Sequence, residues 1–317
     1  MNPQIILTAI APVMLILALG YAAGKHQSFT QDQSRGLSQL ALHYALPAAL
    51  FLGMAHFNRQ LLLEQGPIVV IMLVGYSLFF LLAYWLLRRM GMDKIKATLI
   101  GYAVNSTAAP IYGLTVLVPI YGQTTGTGIV GLAALVTNLA QVSVVIFMLQ
   151  TAAAANNKAG QQLSLGASIT QAMKNPLVWC PVAGAVFALS GLNLSPVASA
   201  ALNPLAVSAS GVAIFACGLA LASYPLKAAF SRTSILAALV CMLVQPALFF
   251  LMIKGWGLST PMAHAAFVAA AMPTSTPSVL FAQQYRTCES EMAGIMLITT
   301  VGMVLSLPIS LMIAAYL

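Results

Sequence analysis

Charge is what this chain has least of: 13 Lys and Arg and 5 Asp and Glu in 317 residues, or 6%. Soluble domains carry roughly a quarter charged residues, so a soluble globular fold is excluded. The acidic residues Asp32, Glu64, Asp93, Glu289 and Glu291 all fall in loops or at the ends of apolar runs. No carboxylate relay therefore crosses the protein. Cysteine is equally sparse. Cys180, Cys217, Cys241 and Cys288 show no CxxC spacing, and three of them lie within apolar runs, which reads as small packing thiols rather than a disulfide framework. The metalloprotease pattern HExxH and the Walker lysine loop are missing. Gly126-Thr127-Gly128-Ile129-Val130-Gly131 matches GxGxxG but follows no strand and opens an apolar run, where small residues serve helix packing. Asn105-Ser106-Thr107 fits a glycosylation sequon at a place no glycan could be attached. With no catalytic constellation at depth, no metal set and no cofactor motif, the chain does not read as an enzyme.

What the chain does have is apolar length. Hydrophobic residues make up 60% of it, and runs long enough to cross a bilayer fall at 5–23, 36–55, 67–87, 95–119, 127–150, 176–191, 198–223, 233–254, 260–284 and 291–316. The expected fold is an all-α polytopic membrane protein of ten spans. The N-terminal Met-Asn-Pro-Gln lacks the basic region of a signal peptide, so the first run reads as a retained helix. The polar stretch 155–175 divides the chain into 1–154 and 176–317, five spans each. An odd number per half turns the second half over relative to the first, giving inverted repeats.

The net charge of +8 sits singly or in pairs between apolar runs, which points to membrane topology rather than to nucleic acid. With both termini outside, Lys25, Arg35, Arg88, Arg89, Lys94, Lys96, Lys158, Lys174, Lys227, Arg232 and Arg286 face the cytoplasm, and only Arg59 and Lys254 do not. Adding or dropping one span would scramble that bias. Trp85, Trp179 and Trp256 lie near span ends, as aromatic-belt residues do.

Two runs are interrupted at corresponding places. Asn105-Ser106-Thr107-Ala108-Ala109-Pro110 lies in the fourth and Met272-Pro273-Thr274-Ser275-Thr276-Pro277 in the ninth. A proline inside a helix removes one hydrogen bond and clashes with the preceding turn. In lipid the freed backbone groups are tolerated only where protein or a water-filled cavity covers them. Simple kinks with hydroxyls bonding back to their own helix are the alternative, but a kink needs one proline and one hydroxyl, and here both clusters are richer. Matched breaks in two halves are the best sequence pointer to a secondary transporter's binding site. Asn105, Ser106, Thr107, Thr274, Ser275 and Thr276 are therefore expected to face a substrate, with Pro110 and Pro273 setting the breaks. Free N–H groups at the broken ends would suit an anion, and free carbonyls a cation. Asn138 and Gln141, three apart in the fifth run, would share that cavity or join helices to one another. His43 in the second run is a proton-coupling candidate or a hydrogen-bonded structural histidine. Gln245, Thr299 and Thr300 are further polar residues at depth, and His264 reads as interfacial.

Leu46-Pro47-Ala48-Ala49-Leu50-Phe51, the break from Asn105 to Pro110, Lys174-Asn175-Pro176-Leu177, Phe215-Ala216-Cys217-Gly218-Leu219-Ala220-Leu221, and Met272-Pro273-Thr274 followed by Leu280-Phe281-Ala282 and Tyr285 stand in an order that resembles the auxin efflux carrier family. Among its bacterial members the chain is most similar to the malonate-carrier type, over nearly its whole length. The resemblance implies ten helices in two inverted five-helix repeats and a scaffold built from the first two helices of each. It further implies elevator-like movement of the other three, crossing of the fourth and ninth helices at the substrate, and a homodimer. The substrate expected is malonate or a related small carboxylate, carried across a bacterial inner membrane with H+ or Na+ as coupling ion. A sodium-coupled symporter of the bile-acid type, whose fold is related, is the alternative. The short central stretch departs from the long loop of plant relatives, so regulation there does not carry over.

Overall fold

The computed structural model describes residues 3–56, 59–60, 65–156, 176–192, 194–223 and 230–317. Glu64, Lys158, Lys174, Asn175, Lys227 and the connection from 157 to 175 lie outside them. Among the described residues every regular element is a helix. In chain order these are α1 (Pro3–Lys25), α2 (Gln31–Leu40), α3 (Leu46–Ala55), α4 (Gly66–Arg89), α5 (Lys94–Asn105), α6 (Ala109–Val136), α7 (Ser143–Asn156) and α8 (Pro176–Leu189). The remainder are α9 (Pro196–Ala222), α10 (Arg232–Leu239), α11 (Gln245–Gly255), α12 (Pro261–Ala270), α13 (Thr276–Tyr285) and α14 (Glu289–Ala314).

Local sequence explains the starts. Asp93 accepts from the Lys96 N–H, Ser195 from Ala198, and Thr260 from Ala263, so α5, α9 and α12 begin on capped first turns. Thr30 and Gln33 exchange bonds in a capping box, which starts the second span at residue 31, earlier than its apolar run announces. Three π-helical turns, Ala41–Ala45, Thr137–Val142 and Val240–Val244, join α2 to α3, α6 to α7 and α10 to α11. Two of them precede Pro47 and Pro246. The N–H just before each proline bonds five residues back, Leu46 to Ala41 and Gln245 to Val240, so the helix widens instead of breaking.

Among the described residues, seven helical stretches are long and apolar enough to cross a membrane: Asp32–Ala55, Gly66–Arg89, Lys94–Gly122, Thr124–Ala153, Pro196–Ala222, Arg232–Gly255 and Glu289–Ala314. Shorter apolar helices are Ala11–Lys25, which is part of α1 in the expected first span, and Pro261–Ala270 in the expected ninth, which its break halves. Helix α6 turns a corner at Gly122, whose φ of +82° only glycine adopts freely, and this separates the expected fourth and fifth runs.

Two packing groups organise the bundle. In one, α1 lies along α9, α8 along α3, and α9 against α3. Backbones touch there: a Cβ at Gly20 would run into the Phe215 carbonyl, and one at Gly184 into the Phe51 carbonyl. The other group pairs α4 with α5, α10 with α14, and α11 with α4 and α12. Helix α6 crosses between the two, against α1 and α12.

Candidate functional site

Both breaks are present, and they meet. Helix α5 ends at Asn105, Ser106 is extended at φ −81° and ψ 143°, and α6 starts at Ala109. In the second break α12 ends at Ala270 and α13 starts at Thr276. Pro110 and Pro277 stand in the first turn of the second half-helix, where a missing N–H costs nothing. They start helices rather than kink them. Pro273 lies in the break itself, and its carbonyl accepts the Ala108 N–H at 2.8 Å.

The hydroxyls are exchanged between the breaks. Thr107 donates to the Ala269 carbonyl at 2.5 Å and accepts from the Ala109 N–H at 3.1 Å. Thr274 donates to the Ala103 carbonyl at 2.6 Å. With that proton committed, the 2.9 Å contact between Ser106 Oγ and Thr274 Oγ1 is a donation by Ser106, which itself accepts from the Ser275 N–H at 3.1 Å. The Thr274 N–H reaches Thr299 Oγ1 at 3.3 Å. Ser106, Thr107, Thr274, Ser275 and Thr276 are all buried.

Asn105 has a different part from the one expected. Its side-chain amide donates to the Tyr76 carbonyl on α4, and its own carbonyl accepts from Gln141 at 3.1 Å and from Gln245 at 3.4 Å. It binds three helices together at the end of α5 instead of facing the cavity. Thr276 pairs with Cys217 of α9 at 2.9 Å, and Ser210 of α9 donates to the Ile111 carbonyl at 2.8 Å. His43 is exposed, its Nδ1 3.2 Å from the Gln39 carbonyl, and the structure does not bring it to the crossing. The Asn138 side chain lies outside the described residues. Tyr102, whose hydroxyl is 3.2 Å from Ser275 Oγ, and Thr137 are members the sequence reading missed. A hydroxyl-bearing aromatic one turn before the break was the available signal.

A cavity of about 30 Å³ at the crossing is lined by Tyr102, Ser106, Thr107, Thr137, Gln141 and Ser275, with Leu46, Leu50, Pro110 and Pro277 among its apolar walls. Next to it a vestibule of about 700 Å³ is bounded by α3, α6 and α9 and includes His56, Thr124, Ser199 and Asn203. Leu50 and Pro110 line both cavities. The vestibule is lined on both sides of the Gly122 corner, by Leu114 before it and Thr124 after it. At the start of the fourth span, Lys96 pairs with Glu291 at 3.3 Å, and Ser234 donates to the Glu291 carbonyl at 3.2 Å. Near that pair, burial and then the Glu291 carboxylate push the Cys288 thiol up to about 12.

Most of the N–H groups expected to be freed at the breaks are bonded instead. The N–H groups of Ser106, Ala108, Ala109, Met272, Thr274 and Ser275 are all bonded within the crossing or to its neighbours. The small cavity has mostly apolar walls, and its polar part is made of hydroxyl and amide groups.

The sequence matches the family described as "Membrane transport protein" over residues 5–311. It is 26% identical over 300 residues, 94% of each chain, to the uncharacterized transporter YfdV of Escherichia coli K12. The same protein from Escherichia coli O157:H7 and Shigella flexneri matches equally. The chain belongs to this membrane transport protein family, the auxin efflux carrier family that its motifs resemble.

Proposed function

We propose that this family member is a secondary active carrier of small organic anions, malonate or a related carboxylate, in a bacterial inner membrane. The observation that carries this reading is the crossing of two broken helices beside a vestibule of about 700 Å³, large enough for a small dicarboxylate. The cavity at the crossing, about 30 Å³, holds no such solute, so substrate binds first in the vestibule, beyond Leu50 and Pro110.

The proposed architecture has ten spans in two inverted repeats, 1–154 and 176–317, with both termini outside and the connection 155–175 in the cytoplasm. Reciprocal contacts support it. Gly20 of the first expected span meets Phe215 of the seventh, and Gly184 of the sixth meets Phe51 of the second. Thr107 stands three residues before Pro110, as Thr274 stands three before Pro277. Alternating access by an elevator motion fits the two packing groups, with α1, α3, α8 and α9 as scaffold. The Cys217–Thr276 and Ser210–Ile111 contacts would then break at each cycle. A homodimer through the scaffold completes the proposal, with H+ or Na+ as coupling ion.

Counterflow in proteoliposomes against a panel of mono- and dicarboxylates tests the reading, because it assumes no energy source. Exchange of malonate, lost in Thr274→Ala, is the expected result. Absence of exchange for every carboxylate in the panel would overturn it.

A further inference from the structure

We propose that the small cavity at the helix crossing is a sodium site, with Gln141 Oε1, Thr137 Oγ1 and the hydroxyl oxygens of Ser106 and Thr107 as its ligands.

Which atoms have protons to give decides the character of the cavity. Gln141 is 2% exposed, and its amide nitrogen donates to the Asn105 carbonyl. A carbonyl only accepts, so the amide cannot be turned the other way, and Oε1 must be the atom left over. That oxygen is buried without a hydrogen-bond partner. An orphaned buried acceptor calls for an occupant, and Gln141 lines the cavity. The Asn105 amide is oriented the same way, by the Tyr76 carbonyl, and its Oδ1 is a second buried oxygen without a partner.

The hydroxyls around the cavity tell the same story. Thr137 gives its proton to the Ala133 carbonyl at 2.6 Å, Thr107 to Ala269, and Ser106 to Thr274. Each has therefore given its proton away and keeps lone pairs to offer: two on Thr137, and one each on Ser106 and Thr107, which also accept the Ser275 and Ala109 N–H groups. Only the Tyr102–Ser275 pair retains a spare O–H. The second amide N–H of Gln141 is a further donor, but the lone pairs left over outnumber the protons, and that balance favours a cation over a carboxylate. Thr137 and Gln141 lie four residues apart on one face of the π-helical turn Thr137–Val142, a widening that recurs at functional sites.

Size and ligand type select the ion. At about 30 Å³ the cavity has room for a water-sized occupant, and so for one dehydrated monovalent ion. Neutral amide and hydroxyl oxygens, with no carboxylate in the lining, suit a hard monovalent cation rather than a divalent or soft metal. Resting on the carrier reading above, the bound charge would also supply the positive partner for a substrate carboxylate that no lysine or arginine in the lining provides.

Thermal unfolding of the purified full-length protein in detergent, without any organic anion, tests the site by linkage. Sodium chloride should raise the midpoint saturably at constant ionic strength, whereas potassium and choline chloride should not. Thr137→Val keeps the side-chain shape and removes one ligand. It should raise the half-saturating sodium concentration about tenfold. Gln141→Leu should abolish the sodium shift if it folds, and Thr137→Val decides the matter if it does not. Equal midpoints in the three salts, or an unchanged sodium response in Thr137→Val, would overturn the proposal. Because no substrate is present, either result is independent of whether malonate is carried.

Discussion

Thr107 hands its hydroxyl proton to the carbonyl of Ala269, 162 residues away, across 2.5 Å. Thr274 does the reverse toward Ala103. In each case a threonine of one break donates to a carbonyl in the last turn of the half-helix before the other break, where intrahelical donors run out; Ala269 has besides it only the long 3.4 Å bond from the Met272 N–H. Thr107→Val and Thr274→Val should each cost about 1–3 kcal/mol, because a buried acceptor loses its donor. The double variant should cost less than the sum, since both act on one network. Chemical or thermal unfolding of the three variants measures it, and Thr107→Ser should recover most of the loss.

Gly218 is closed in by the Leu17 carbonyl and the Tyr21 backbone on α1, as Gly20 is by Phe215 on α9. Backbone atoms cannot step aside as a flexible side chain can. Gly218→Leu should prevent α1 and α9 from docking and leave little folded protein, whereas Gly211→Ala, with open space around it, should be tolerated. Size-exclusion profiles of the two variants distinguish these outcomes.

Leu50 is the wall shared by vestibule and crossing. Leu50→Trp should fill that passage. Solute exchange should fall by more than about tenfold while the unfolding midpoint changes little, the enlargement being taken up by open volume rather than by an already packed core.

Cys288 sits between α13 and α14 with its thiol pushed up to about 12, first by burial and then by Glu291. A raised thiol pKa means less thiolate at neutral pH, and the thiolate is the nucleophile. Maleimide labelling at pH 7.5 should therefore be slow, and its rate should climb about tenfold per pH unit through pH 9. Glu291→Gln removes one of the causes and should speed the labelling, as mass spectrometry of the intact protein would show.

Much of this was legible in the residues. The breaks at Asn105–Pro110 and Met272–Pro277 follow from proline chemistry inside apolar runs, and their hydroxyls do converge. What could not be read was which way those groups face. Asn105 reads as a ligand by type, yet Tyr76, Gln141 and Gln245 from three other helices claim it, and such partners are set by tertiary packing alone. The same holds for two amides of the breaks: local sequence predicts that those of Ala108 and Ser275 are freed, and the meeting of the two breaks takes them up again. A titratable group such as His43 is costly in an apolar run, but a run does not disclose which of its faces turns outward. The π-helical turn that aligns Thr137 with Gln141 contains no proline, so no local signal announces it.

The reciprocal bonds also bear on biogenesis. When a ribosome has delivered the first half of the chain, the Ala103 and Asn105 carbonyls still wait for Thr274 and Gln245, and Thr107 waits for Ala269. The early helices must therefore sit in lipid with polar groups unmatched, or leaning on a provisional partner, until the final third has been synthesised. Completion of the crossing is thus a late event, and nascent chains stalled before residue 261 should remain open to proteases that the finished carrier resists.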